Sequence, residues 1–120
     1  MAESPLLALA AKAIDEKKAE NIVILNMKGI SSIADYFIIC HGNSDKQVKA
    51  IADGLKEELY KRGYEVKRIE GYDHARWILI ELGDTIVHVF HKEERSYYNL
   101  EKLWGDVPTI ELERLLAKET

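Results

Sequence analysis

The stretch WILIELGDTIVHVF, Trp77 to Phe90, sets two runs rich in aliphatic and β-branched residues on either side of Gly83-Asp84. That pattern predicts two antiparallel strands joined by a tight turn. A two-residue turn places Leu82 opposite Thr85 and Trp77 opposite Phe90. Side chains alternate along a strand. One face then carries Ile78, Ile80, Leu82, Thr85, Val87 and Val89, which is a core face. The other carries Trp77, Leu79, Glu81, Ile86, His88 and Phe90, a large aromatic surface mixed with polar groups.

Outward from the hairpin, Glu65 to Glu70 reads as a further strand and Gly71-Tyr72-Asp73-His74 as a loop. Ser44 to Gln47 fits a capping box, Ser at the cap and Gln three residues on. Val48, Ile51, Ala52, Leu55 and Leu59 follow as one helical stripe, and Gly63 stands at a C-cap position. Gly54 is a weak spot inside this helix, costing about 1 kcal/mol against Ala. Ile22–Leu25, within Asn21–Met27, and Tyr36–Cys40 are continuous apolar runs of the kind that form buried strands. Ser4-Pro5 starts a first helix with Leu6, Leu7, Ala10, Ala11 and Ile14 inward. Leu100, Leu103 and Trp104 have helical spacing, and Pro108-Thr109 starts a last helix with Leu112, Leu115 and Leu116 inward. The fold class is α/β: a mixed five-stranded sheet with flanking helices.

The chain has 120 residues and only two prolines, both near the ends, so residues 1–120 read as one domain. Seventeen Lys and Arg against 21 Asp and Glu give a net charge of −4, which disfavours wrapping nucleic acid. It suits a basic protein as partner. One cysteine, Cys40, precludes an internal disulfide and fits a reducing compartment. No apolar run approaches the ~20 residues of a membrane span. The start MAESPLLALAAKAIDEKK lacks an Arg-rich, acid-poor transit pattern. A cytoplasmic protein without membrane contact is expected.

The motifs of catalysis are missing from the sequence. It holds no GxxxxGK[ST], no GxGxxG and no GxSxG. His88 and His91 stand three apart on a strand, hence on opposite faces, and should not share a metal ion. Cys40, His41 and His74 come from separate places and read as ordinary residues. A mixed sheet with helices is shared with nucleotidyltransferases, which need two acids on one strand to hold metal. In Asp35-Tyr36-Phe37 the alternate position is Phe37. No catalytic residue, no metal and no cofactor is assigned.

Three blocks, DYFIICHGNSDKQVKAIAD (35–53), IEGYDHARWILIELGD (69–84) and IVHVFHKEERSYYNLEKLWGD (86–106), resemble the Iojap-related ribosomal silencing factor family. The resemblance implies a nucleotidyltransferase-like fold without the catalytic acids, and a role that is not enzymatic. It implies that the chain binds the large ribosomal subunit through its ribosomal protein number fourteen. There it would block joining of the small subunit and repress translation when nutrients are short, with little direct contact to nucleic acid.

Aromatic residues are enriched at interface centres. The partner-binding residues expected are Trp77 as anchor, with Leu79, His88 and Phe90 around it and Glu70, Asp73 and Glu81 as an acidic rim. Tyr98 is added from the YYNLEKLWGD motif, with Trp104 beside it. Two other readings remain: a nucleotide-binding or nucleotidyl-transferring enzyme on the same fold, and a homodimer that uses the aromatic face as a self-contact.

Overall fold

A computed structural model describes residues 5–94 and 106–118. Helix α1 (Pro5–Glu16) leads into β1 (Glu20–Asn26) and β2 (Tyr36–Gly42), then α2 (Asp45–Lys61). Three strands follow: β3 (Arg68–Glu70), β4 (Trp77–Glu81) and β5 (Thr85–His91). The described chain closes with β6 (Thr109–Ile110) and α3 (Leu112–Lys118). The expected cap at Ser4 lies outside the described residues, as do Tyr97, Tyr98, Leu100, Leu103 and Trp104.

The sheet is mixed, in the order β3-β4-β5-β2-β1-β6. Strands β2 and β5 run parallel, with Tyr36 beside Thr85 and Ile39 beside His88. Every other pair is antiparallel. The α2 crossover between β2 and the later strands permits that one parallel pair.

Six strands stand where five were expected. The sixth is the Thr109–Ile110 segment, read from sequence as a helix start. It pairs Ile110 with Ile24 and Thr109 with Leu25, and the Asn26 N–H donates to the Pro108 carbonyl at 2.8 Å. The open edge of β1 offers donors and acceptors that a short strand satisfies before a helix can form. Pro108, lacking an N–H, fits at this outer edge. The helix therefore begins at Leu112, with Leu115 buried. Strand β3 is also shorter than Glu65–Glu70: only Arg68–Glu70 pairs in it, with the Lys67 N–H reaching Glu81 O at 2.7 Å.

The hairpin register is as expected, Trp77 opposite Phe90 and Ile78 opposite Val89, with the Leu82 N–H bonded to Thr85 O at 2.9 Å. Ile78, Ile80, Leu82, Val87 and Val89 enter the main core with Ile38, Cys40 and the inner stripes of α1 and α2. Val48, Ile51, Ala52, Leu55 and Leu59 are fully buried there. Helices α1, α2 and α3 pack over this one side of the sheet.

Helix α2 is capped at both ends by its own sequence. The Ser44 hydroxyl accepts from the Gln47 N–H at 3.1 Å, while Gln47 Oε1 accepts from the Asn43 N–H at 2.7 Å. At the other end Gly63 takes φ +82°, and Tyr64 and Gly63 donate to Leu59 O and Tyr60 O. That is a Schellman closure. Ser44→Ala is expected to lower stability by about 1 kcal/mol in urea unfolding, the usual value of such a cap.

Gly54 is more than a weak spot. A Cβ there would lie 2.5 Å from Lys17 Cε and 2.6 Å from its Cγ. The missing side chain lets the Lys17 stem cross α2 just after α1 ends.

Candidate docking surface

The side of the sheet away from α1, α2 and α3 carries a second, smaller apolar cluster. Leu25, Met27, Ala34, Phe37, Ile39, Ile86 and Phe90 form it, with Val23, Trp77, Leu79 and Val107 packed around. It arises from the same period-two alternation that fills the main core. Phe37 lies beside Ile86, and Ile39 beside His88, across the parallel pair.

Among the described residues, Trp77 is the most exposed large ring of this face. It stacks on Phe90 with centroids 4.9 Å apart and planes 27° apart. Phe90 is fully buried beneath it. His88 is also buried, and Phe37 meets its ring edge-on at 5.0 Å. The Trp77 Nε1–H donates to His88 Nδ1 at 3.2 Å. Burial pushes the His88 imidazole down to about pKa 4, so it is neutral at physiological pH. With Nδ1 accepting, the proton sits on Nε2, which is buried and has no hydrogen-bond partner among the described residues.

Trp77 and Leu79 are half-buried, and with Glu70 and Gly71 they line an open groove of about 230 Å³. The β3–β4 register brings Glu70 opposite Leu79. Gly71 makes the approach possible: φ is +81°, and a Cβ would fall 2.2 Å from the Trp77 carbonyl oxygen. The residues from Gly71 to Arg76 are then tied to α2. Tyr72 Oη donates to the Asp53 carboxylate at 3.0 Å, which raises the phenol's pKa, and Lys49 and Lys56 sit over its ring. Arg76 donates to Glu93 at 2.9 Å and Glu94 at 3.2 Å, and stands 3.6 Å from Asp45. Its guanidinium holds the Glu93 carboxyl below the usual range.

The eight expected contact residues therefore fall into different depths. Trp77 and Leu79 are at the groove. His88 and Phe90, expected around the anchor at the surface, lie underneath it instead, because β2 flanks β5 and adds Phe37 and Ile39 to the layer. Of the acidic rim, Glu70 and Asp73 are exposed and Glu81 is half-buried. Glu70 and Glu81 are not free carboxylates: both bind Arg68, at 3.1 and 3.5 Å. Tyr98 lies outside the described residues.

The sequence ties Phe37 to the apolar run of β2, whose alternate residues serve both sides of the sheet, and its place in this layer comes from the pairing of β2 with β5. Ile30 and Ile33, half or more exposed on the β1–β2 connection, lie outside the apolar runs. His88 and His91 do face opposite ways: His91 Nε2 is 3.8 Å from Asp45 on the helix side. Asp35 is followed two residues on by Phe37, whose ring fills the space against His88.

The family model for the ribosomal silencing factor during starvation matches residues 2–120. The ribosomal silencing factor RsfS of Halalkalibacterium halodurans is 64% identical over 117 residues, covering 98% of this chain and 100% of that protein. A chloroplast Iojap protein of Zea mays is 32% identical over 102 residues, covering 85% of this chain and 44% of that longer protein. A crystal structure from Bacillus halodurans superposes with a TM-score of 0.79 at 64% identity, covering 88% of this chain and 96% of that one. The chain belongs to the ribosomal silencing factor family.

Proposed function

We propose that this chain binds the large ribosomal subunit in the cytoplasm through its ribosomal protein number fourteen, and that its bulk there keeps the small subunit from joining. The observation that carries the reading is the groove of Trp77 and Leu79, an apolar centre on the side of the sheet away from α1, α2 and α3, with the Glu70 carboxylate at its margin. Aromatic anchors in partly closed pockets dominate binding energy in protein interfaces. The rim carries Glu70 and Glu81 with Arg68 between them, two carboxylates to one guanidinium, which suits a basic protein surface and repels stray RNA. The partner itself comes from the family resemblance. The mechanism is steric. A body of 37 × 34 × 25 Å seated on a joining face occupies the space that intersubunit bridges require. No bond is made or broken, so the role needs neither an acid pair nor a metal.

The test is co-sedimentation with purified large subunits, followed by addition of small subunits. The protein should travel with the large subunit and reduce the yield of joined ribosomes. Trp77→Ala should weaken that binding by about 2 kcal/mol, roughly thirtyfold, while leaving the fold intact. Protein that stays at the top of the gradient at low and moderate salt would sink the reading. Unchanged affinity in folded Trp77→Ala would sink the placement of the dock.

A further inference from the structure

The geometry points to His88 as the positioning residue for Trp77: it holds the indole in its docking orientation and touches no partner itself. This rests on the reading of Trp77 as the anchor. The indole N–H is the ring's one donor, and it is directed inward to His88 Nδ1 at 3.2 Å rather than outward to solvent. That bond fixes the ring about its side-chain torsions, and stacking on Phe90 at 4.9 Å fixes its plane. The ring presented to the groove is then apolar, its polar atom already satisfied from below.

His88 holds this place at a visible cost. Among the described residues its buried Nε2–H has no acceptor, and the ring is packed against Phe37 and Phe90. A phenylalanine would fill a similar space with no orphaned donor. What a phenylalanine could not do is accept the indole N–H. Accepting the indole N–H also fixes the tautomer, since only the Nε2-protonated ring leaves Nδ1 free to accept. Packing alone explains neither the histidine nor its tautomer; the bond to Trp77 explains both.

Two readouts test this. In ¹⁵N-labelled protein, His88→Phe should move the Trp77 indole N–H resonance, which Trp77→Phe identifies by its loss. Affinity for large subunits should fall about tenfold in His88→Phe, as expected when one orienting hydrogen bond is removed. In a Trp77→Phe background the same change at position 88 should cost nothing further, because the N–H it serves is gone. If His88→Phe does not fold, benzothienylalanine at position 77 replaces the N–H by sulfur at constant shape and should give the same tenfold loss. Equal losses in both backgrounds, or an unmoved resonance, overturn the positioning role. Loss of binding in Trp77→Ala with none in His88→Phe overturns it alone. Full binding in Trp77→Ala removes the anchor and this proposal together.

Discussion

Acidification from about pH 7 to pH 4 should cost this protein about 3 kcal/mol of stability through His88 alone. In the fold, burial holds the imidazole near pKa 4, against 6.5 for a free histidine. The unfolded chain therefore binds a proton below pH 6.5 that the folded chain refuses until pH 4. Stability is complete above 6.5 and drains as pH falls toward 4, at about 1.4 kcal/mol per unit. Protonation is opposed twice, because an imidazolium would present two donors and no acceptor to the Trp77 N–H. Urea unfolding at a series of pH values measures this. The wild-type curve should fall steadily from about pH 6.5, and His88→Phe should be flatter down to about pH 5. Below that both should fall, since Arg76 depresses the Glu93 pKa and that stabilisation is lost as the carboxylate protonates. Parallel curves for the two proteins would show that His88 is not held neutral by burial.

The depth of His88 marks where the sequence stops being legible. The hairpin could be read because a two-residue turn dictates register, and register dictates which side chains share a face. Helix α2 could be read because its caps and stripe are local. Neither kind of local signal says which strand lies beside β5. That neighbour is β2, distant in sequence, and its Phe37 and Ile39 bury His88 and Phe90. Strand β6 was illegible for the same reason: Pro-Thr is a sound helix start until the open edge of β1 competes for its backbone. The rim was half legible. Glu70 and Glu81 announce themselves as charges, but Arg68 comes between them only through the β3–β4 register, which sets Arg68 opposite Glu81. Sequence thus put Trp77 and Leu79 on one face, while long-range pairing decided what lies beneath Trp77 and which cation sits between Glu70 and Glu81.

That pairing depends on one backbone position, and Gly71→Ala should be correspondingly damaging. Gly63 and Gly71 have nearly the same left-handed conformation, φ +82° and +81°. A Cβ at Gly63 meets nothing within 4 Å, whereas at Gly71 it falls 2.2 Å from the Trp77 carbonyl oxygen. Gly63→Ala should therefore cost only the left-handed penalty, about 1 kcal/mol. Gly71→Ala carries that penalty and a clash between two backbone segments, neither of which is a flexible side chain that can swing aside. A total of about 3 kcal/mol is expected, among the large values seen for strained backbone sites. The clash falls on the first residue of β4, so relief has to move Trp77 and open the groove it lines with Gly71. Gly71→Ala should accordingly lose large-subunit binding under conditions where it remains folded, and Gly63→Ala should keep it. Urea midpoints and co-sedimentation of the two variants decide the matter together. Equal destabilisation at both glycines would mean that the close approach at Trp77 is absent. Unequal destabilisation with intact binding in Gly71→Ala would separate the fold of the β3–β4 turn from the docking surface.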